Sequence, residues 1–392
     1  MSLCLALFTF TNCSNKTETP LFVIDNTELK QGFIDSIGKI IIPCHFAYVR
    51  WFSNGLAIAS LDGLTYGFIN QKGEFVIQPK FKLNFSPLSL YPLKVLKLND
   101  STKELRSLIS EYSFADNRAL YYDIEKNRFG YINTKGDVVI QPTYLVATRF
   151  KQNHSVAVIS LDTTNWENTR MGIIDINGTM VVPDKYYRLS RLSDNYASGT
   201  FVTKKDSSYQ FSSVILSSQG RVISSILPGM IVLTGEFSKG YSSGIETLSQ
   251  SLNRKGYFVY DSTGKTLNDS NGNPLFWEDI VIDNGRFIWY KQSDYYHWFV
   301  LDNDKRGRVV DSKVYTAIAA GFNKDGIAAV KFRDQYGFID TLGNFVLEPK
   351  YAYAGNFNHG LAEAGLRNGS LLIRGYINKK GEFVWSREVR DR

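Results

Sequence analysis

The residues that could do chemistry are few, and most have a plainer duty. Gly240-Tyr241-Ser242-Ser243-Gly244 fits G-x-S-x-G, the turn that exposes a nucleophilic serine in one hydrolase class. That turn needs a strand before it and a helix after it. Here the motif sits in a register that recurs along the chain, where Ser242 aligns with Ala57 and Ala362 and reads as the opening of a strand. The four histidines, His45, His154, His297 and His359, include no pair at metal-ligand spacing. His45 falls at an aromatic corner, His359 in a Phe-x-x-Gly turn, and His154 at the matching position of an earlier copy of that turn. Glu278 and Asp279 are adjacent, so in a strand they face opposite ways and cannot work as an acid–base pair. The loop Asn268 to Pro274 carries oxygen ligands, but Gly272 stands at the wrong step for a calcium loop. No glycine loop precedes a helix to cradle a phosphate. No catalytic, cofactor-binding or metal-ligating residue is therefore assigned, and no cofactor is expected.

What positions these residues is a sentence written many times along the chain. In residues 336–362, YGFIDTLGNFVLEPKYAYAGNFNHGLA, apolar residues alternate from Tyr336 to Asp340 and again from Asn344 to Leu347, the period of half-buried strands. Asp340-Thr341-Leu342-Gly343 joins them. The aspartate can bond the backbone two residues on, and the glycine tolerates a left-handed conformation. Pro349 has no N–H for a ladder and is read as the end of the second strand. The turn recurs at 35–38, 70–73, 133–136, 175–178, 261–264 and 378–381, weakly at 217–220, and stretched by insertion at 302–307. Prolines 43, 79, 142 and 183 repeat the stop, and Phe52 to Gly55 and Phe237 to Gly240 repeat the Phe-x-x-Gly strand opener. Turn glycines at 38, 73, 136, 178, 220, 264, 307, 343 and 381 are mostly 35–44 residues apart. Such a period means tandem repeats.

The pattern Gly-x-Ile-Asp/Asn-x-x-Gly-x-x-Val-Ile-x-Pro-x-Tyr, then Phe-x-x-Gly-Leu-Ala, resembles the bacterial WG (KWG-type) β-repeat family over roughly residues 20–385. The copies are degenerate and contain no Trp-Gly dipeptide; Gln31, Tyr66, Phe129, Met171, Tyr336 and Arg374 stand before the repeat glycine. The resemblance implies an all-β repeat protein of bacterial origin without an assigned activity, and it brings no catalytic residues. Each unit supplies three clear strands and a weaker fourth at the aromatic corner, as in HFAYVRWF. Four short antiparallel strands per 40 residues describe a propeller blade. The expectation is all-β: about nine tandem β-meander repeats of 35–44 residues in a propeller-like ring. The last unit would lack its fourth strand, and an open superhelical β-array is the alternative.

Composition agrees. The 392 residues include 23 Tyr and 26 Phe, which favour strands and fill gaps between packed sheets. The net charge of +7 is scattered among acids, with no basic run, so nucleic acid is not an expected partner. Of the cysteines at 4, 13 and 44, Cys44 reads as a small core residue. Met1 to Thr11 is an apolar run of signal length, and Cys13 followed by a polar stretch resembles a lipoprotein signal, which makes Cys13 the expected lipidation site. Residues 1–19 are read as leader and tether and 20–392 as one repeat array. A short helical insert is expected near 100–115, where Ser101 and Glu104 form a capping box. The expected function is a non-enzymatic, envelope-associated scaffold, lipid-anchored or secreted, whose surface binds a protein or glycan, with the membrane reached only through the lipid. The alternative is a carbohydrate-active hydrolase using carboxylates on loops of one propeller face.

Overall fold

Backbone chemistry at one turn sets the whole architecture. The computed structural model describes residues 19–82, 111–161, 166–206, 208–225, 230–231, 236–246, 256–268, 272, 275–277, 279–283, 287–292, 295–301, 307–309, 315–319 and 321–390. At each described copy of the turn, the first side chain accepts two backbone N–H groups. Asp340 Oδ1 accepts from Leu342 N and Asn344 N, both at 2.9 Å. Asn70, Asn133, Asp175, Asp261 and Asn378 do the same. In the weak copy, Ser217 Oγ makes the same two bonds at 3.3 and 3.2 Å. The turn glycine is left-handed, with φ of 83° at Gly343 and 84° at Gly73. The stretched copy falls largely outside the described residues.

The hairpins build nine antiparallel meanders, each strand paired with its neighbours in sequence. These are blades 1 to 9, spanning residues 22–46, 48–82, 119–144, 146–186, 188–225, 230–261, 279–309, 317–351 and 353–390. Six have four strands and three have three among the described residues. In blade 2 the order is Tyr48–Val49 innermost, Ala57–Ser60, Thr65–Ile69 and Phe75–Lys82 outermost. The second strand is buried throughout, whereas the outermost alternates between buried and exposed. The core therefore lies between blades, as when Phe68 packs on Phe114 at 4.6 Å and Phe338 on Phe357 at 4.7 Å.

Two expectations are corrected. First, the aromatic-corner strand belongs to the next unit. Tyr48 and Val49 pair with Ser60 and Ala59, after the preceding strand has ended at Phe46. Among the described residues blade 1 therefore has three strands, and blade 9, expected to lack its fourth, has four. Second, the prolines do not stop the outer strand. Pro43, Pro79, Pro142, Pro183 and Pro349 lie inside it, within a shift of register. An outermost strand is an edge and a bulge leaves a donor unpaired, so a residue without an N–H costs nothing there. Residues 100–110 of the expected helical insert lie outside the described residues, and 111–113 form a turn. Tyr112 and Phe114 are there fully buried, against Tyr66 and Phe68 of blade 2.

The ring closes by the contact that joins its other members. A Cβ on turn glycine 73, 136 or 178 would meet Ile42, Ile77 or Ile140, each from the outer strand of the preceding blade. Gly38 of blade 1 has the same relation to Val384 of blade 9, whose carbonyl oxygen would lie 2.0 Å from that Cβ. Phe22, Ile24 and Ile34 of blade 1 share an apolar cluster with Leu361 and Tyr376 of blade 9. A closed propeller is therefore the architecture, and not the open array.

Candidate binding site at the ring seam

Most of the tempting residues prove to be framework. Ser242 is fully buried in a strand, Tyr241–Glu246, and its hydroxyl is bonded to Tyr260. His45 Nδ1 lies 2.9 Å from Pro43 O, and His154 Nδ1 lies 2.6 Å from Gln152 O, each a local contact in its own blade. His297 stacks on Tyr290 across a strand pair. His154 follows its turn and matches Leu361, while Gln152 takes the place of His359. The mismatch arises because this copy replaces the turn glycine with Asn153, which also takes positive φ. Cys44 is a half-buried free thiol, raised by burial. Cys13 and most of the Asn268 to Pro274 loop lie outside the described residues, as does Glu278. No group of three potential metal ligands exists among the described residues.

Two charged assemblies were not readable from the chain, because each draws on several blades. One joins the segments that lead into the inner turns of blades 3 to 6. Arg191 Nη2 donates to both carboxylate oxygens of Glu111 at 2.6 Å, and its Nε lies 3.9 Å from Glu236 Oε1. Lys151 bonds the other oxygen of Glu236, and Arg149 donates to Ser53 Oγ and Phe114 O. Both carboxylates are thus held by cations. Neighbouring turns are also stitched directly, since Asp116 Oδ2 accepts Asn153 N at 2.7 Å.

The second assembly is a cleft at the seam of blades 9, 1 and 2, with a cavity of about 120 Å³. Its aromatic lining is Trp51, Tyr376 and Trp385, and its polar lining is Asp25, Gln31, Arg50, Glu363 and Arg374. Trp51 is 43% exposed and stands edge-on to buried Phe22, with ring centroids 6.2 Å apart. Tyr376 donates its hydroxyl to Val23 O at 2.9 Å. Asp25 accepts from Arg387 Nε at 2.8 Å and Nη2 at 2.9 Å, and from Arg374 Nη2. Burial alone would raise its carboxyl, but the hydrogen bonds and charges of Arg374 and Arg387 outweigh this and the net shift is downward. Glu363 is exposed at the rim. Such a cleft can stack a ring on an indole and meet polar groups with rigid, ion-paired side chains. As a proton donor at neutral pH Asp25 is poorly suited, because its partners hold it ionised.

Fold and cleft together define a nine-bladed, all-β propeller of tandem repeats with a small polar-aromatic site where the ring meets itself. Four segments of the chain, residues 32–64, 66–83, 129–162 and 336–368, match the WG containing repeat family. No curated protein matches it. Among solved structures it is similar to a eukaryotic initiation factor, at 11% identity with a TM-score of 0.55, over 95% of this chain and 97% of that one. At that identity the likeness concerns the fold alone. A putative dipeptidyl aminopeptidase IV from Bacteroides ovatus follows, at 11% identity and TM-score 0.39, over 91% of this chain and 56% of that one. AztD from Citrobacter koseri is 13% identical with a TM-score of 0.33, over 67% and 78%.

Proposed function

We propose that this protein is a non-enzymatic binding ring whose seam cleft takes one sugar unit of a glycan, displayed at the cell envelope by a lipid on Cys13. The observation that carries the reading is the lining of the cleft. An indole that is 43% exposed stands beside planar carboxylate, amide and guanidinium groups, the set that meets a sugar ring on its face and its hydroxyls at their edge. Two carboxylates, Asp25 and Glu363, line the same cleft, which is the arrangement a hydrolase would need. The paired arginines on Asp25 favour binding over proton transfer.

On a panel of bacterial oligosaccharides, the wild-type chain is expected to bind a subset saturably and release it uncleaved. Trp51→Ala should weaken that binding at least tenfold (about 1.4 kcal/mol) while the chain still folds cooperatively, the scale of a lost aromatic stacking contact. Calorimetry and chromatography of the recovered sugar read both outcomes. Cleaved product would replace this reading with the hydrolase, and binding indifferent to Trp51→Ala and Glu363→Gln would overturn the site.

The envelope location has its own test. Multiple acyl chains anchor firmly where one binds only marginally. Expressed in its own host, wild-type protein is expected in the membrane fraction without residues 1–12, and Cys13→Ser should release it or leave an uncleaved precursor. Wild type and variant that are both soluble and both retain residues 1–12 would overturn the anchor.

A further inference from the structure

A second concavity lies between blades 8 and 9, apart from the seam, and its chemistry is different. Its cavity of about 330 Å³ is lined by Lys331, Asp334, Gln335, Lys350, Ala352 and Arg367. The three cations come from three strands, Ala328–Phe332, Phe345–Tyr351 and Ala362–Asn368. The one acid, Asp334, is almost fully exposed on a tight turn and lies 3.4 Å from Lys331 Nζ. Three positive charges against one negative leave the lining at +2.

Strands fix where these side chains begin. Lys331 pairs across the sheet with Tyr336, and Tyr336 in turn with Tyr351, the neighbour of Lys350. Gln335 Nε2 reaches Lys350 O at 3.5 Å, which ties the hairpin to the outer strand. Lys350 Nζ lies 5.3 Å from the centre of the Tyr351 ring, and Arg333 rests over Phe332. In this cleft cations outnumber acids, and charges of one sign lining a concavity reinforce one another's field.

We infer that the cleft between blades 8 and 9 is a binding site for a multiply charged oxyanion, a phosphate or sulfate group, clasped by Lys331, Lys350 and Arg367. Lysine supplies point charge and arginine a planar pair of donors, a combination suited to tetrahedral oxyanions. The inference rests on different residues from the sugar reading, so either can fail alone.

Calorimetric titration of the full chain at low ionic strength, with inorganic phosphate, inorganic sulfate and a sulfated dextran, tests it. Saturable binding is expected, weakening as sodium chloride is raised. The double variant Lys350→Gln/Arg367→Gln should weaken it at least tenfold, Asp334→Asn should strengthen it severalfold, and Lys72→Gln/Lys135→Gln on distant turns should leave it unchanged. Binding of the free anions identifies a soluble ligand. Binding of the polymer alone, lost in the same double variant, identifies an ester group on a polymer. No saturable binding, or binding that the double variant retains, overturns the site, with melting temperature confirming that each variant is folded.

Discussion

Asp25→Ala is expected to destabilise the ring by about 2–4 kcal/mol, far more than loss of an exposed ion pair between blades. The side chain of Asp25 is 15% exposed, and those of Arg387 and Arg374 are 16% and 30% exposed. Removing the carboxylate therefore leaves two partly desolvated guanidinium groups facing each other across the seam. Lys379→Ala, at the 3.1 Å pair with Asp325, is the contrast. Those groups are 46% and 32% exposed, and such a pair contributes about 0–1 kcal/mol. Urea denaturation of the two variants measures the difference, and equal losses would remove Asp25 from its place as the clamp.

Acid should erase the same contribution in wild type. The Asp25 carboxyl is lowered from its ordinary 3.8 in the folded chain, so between the folded and unfolded values the unfolded state binds more protons. Stability from the clamp is complete above the unfolded value and is lost as pH falls through the folded one. The stability gap between wild type and Asp25→Asn should thus stay constant above about pH 5 and narrow below pH 4. A gap that grew on acidification would contradict the assignment.

Local chemistry made the repeats legible, and distance made the site illegible. The Asp-x-x-Gly turn is a four-residue statement: its aspartate bonds, its left-handed glycine and its hairpin all follow from residues within five positions of each other. The corner strand misled because pairing, and not sequence proximity, decides membership. Tyr48 lies two residues from the end of one blade, yet hydrogen-bonds twelve residues ahead. The prolines misled for a related reason, since a proline inside an edge-strand bulge and a proline after a strand share one sequence pattern.

The seam cleft had no sequence signal at all. Asp25 meets arginines 349 and 362 positions away, and only closure of the ring brings them together. Trp51 offered a clue that repeats can give. At its place, two residues after the inner strand, other blades carry Arg149, Arg191 or Asn356 where blade 2 carries an indole. Trp51 departs from its repeat equivalents and keeps 43% of its surface exposed beyond its edge contact with Phe22.

Gly67→Ala, a change of one methyl group, should cost about 3 kcal/mol or more and is the sharpest test of why the repeat glycine is there. Gly67 is not in the left-handed region, so turn conformation does not require it. Space does. A Cβ at this position would lie 2.2 Å from Ile77 O and 2.8 Å from Gln78 C and Pro79 N. These are main-chain atoms of the outer strand, where the register jumps between the Phe68↔Ile77 and Tyr66↔Phe81 pairs. The bulge folds that strand down over the glycine, and backbone cannot rotate away as a side chain could. Gly32 and Gly337 face Ile42 O at 2.4 Å and Leu347 O at 2.8 Å in the same way. Overpacking costs 1–3 kcal/mol where side chains can adjust and more where they cannot. In the same blade, Gly63→Ala meets only the Ala47 Cβ at 3.9 Å, and its penalty comes from positive φ alone, about 1 kcal/mol. Thermal and urea unfolding of the two variants should therefore rank Gly67→Ala well below Gly63→Ala. The reverse order would mean that the repeat glycine serves conformation and that the proline-bearing bulge can lift away from it.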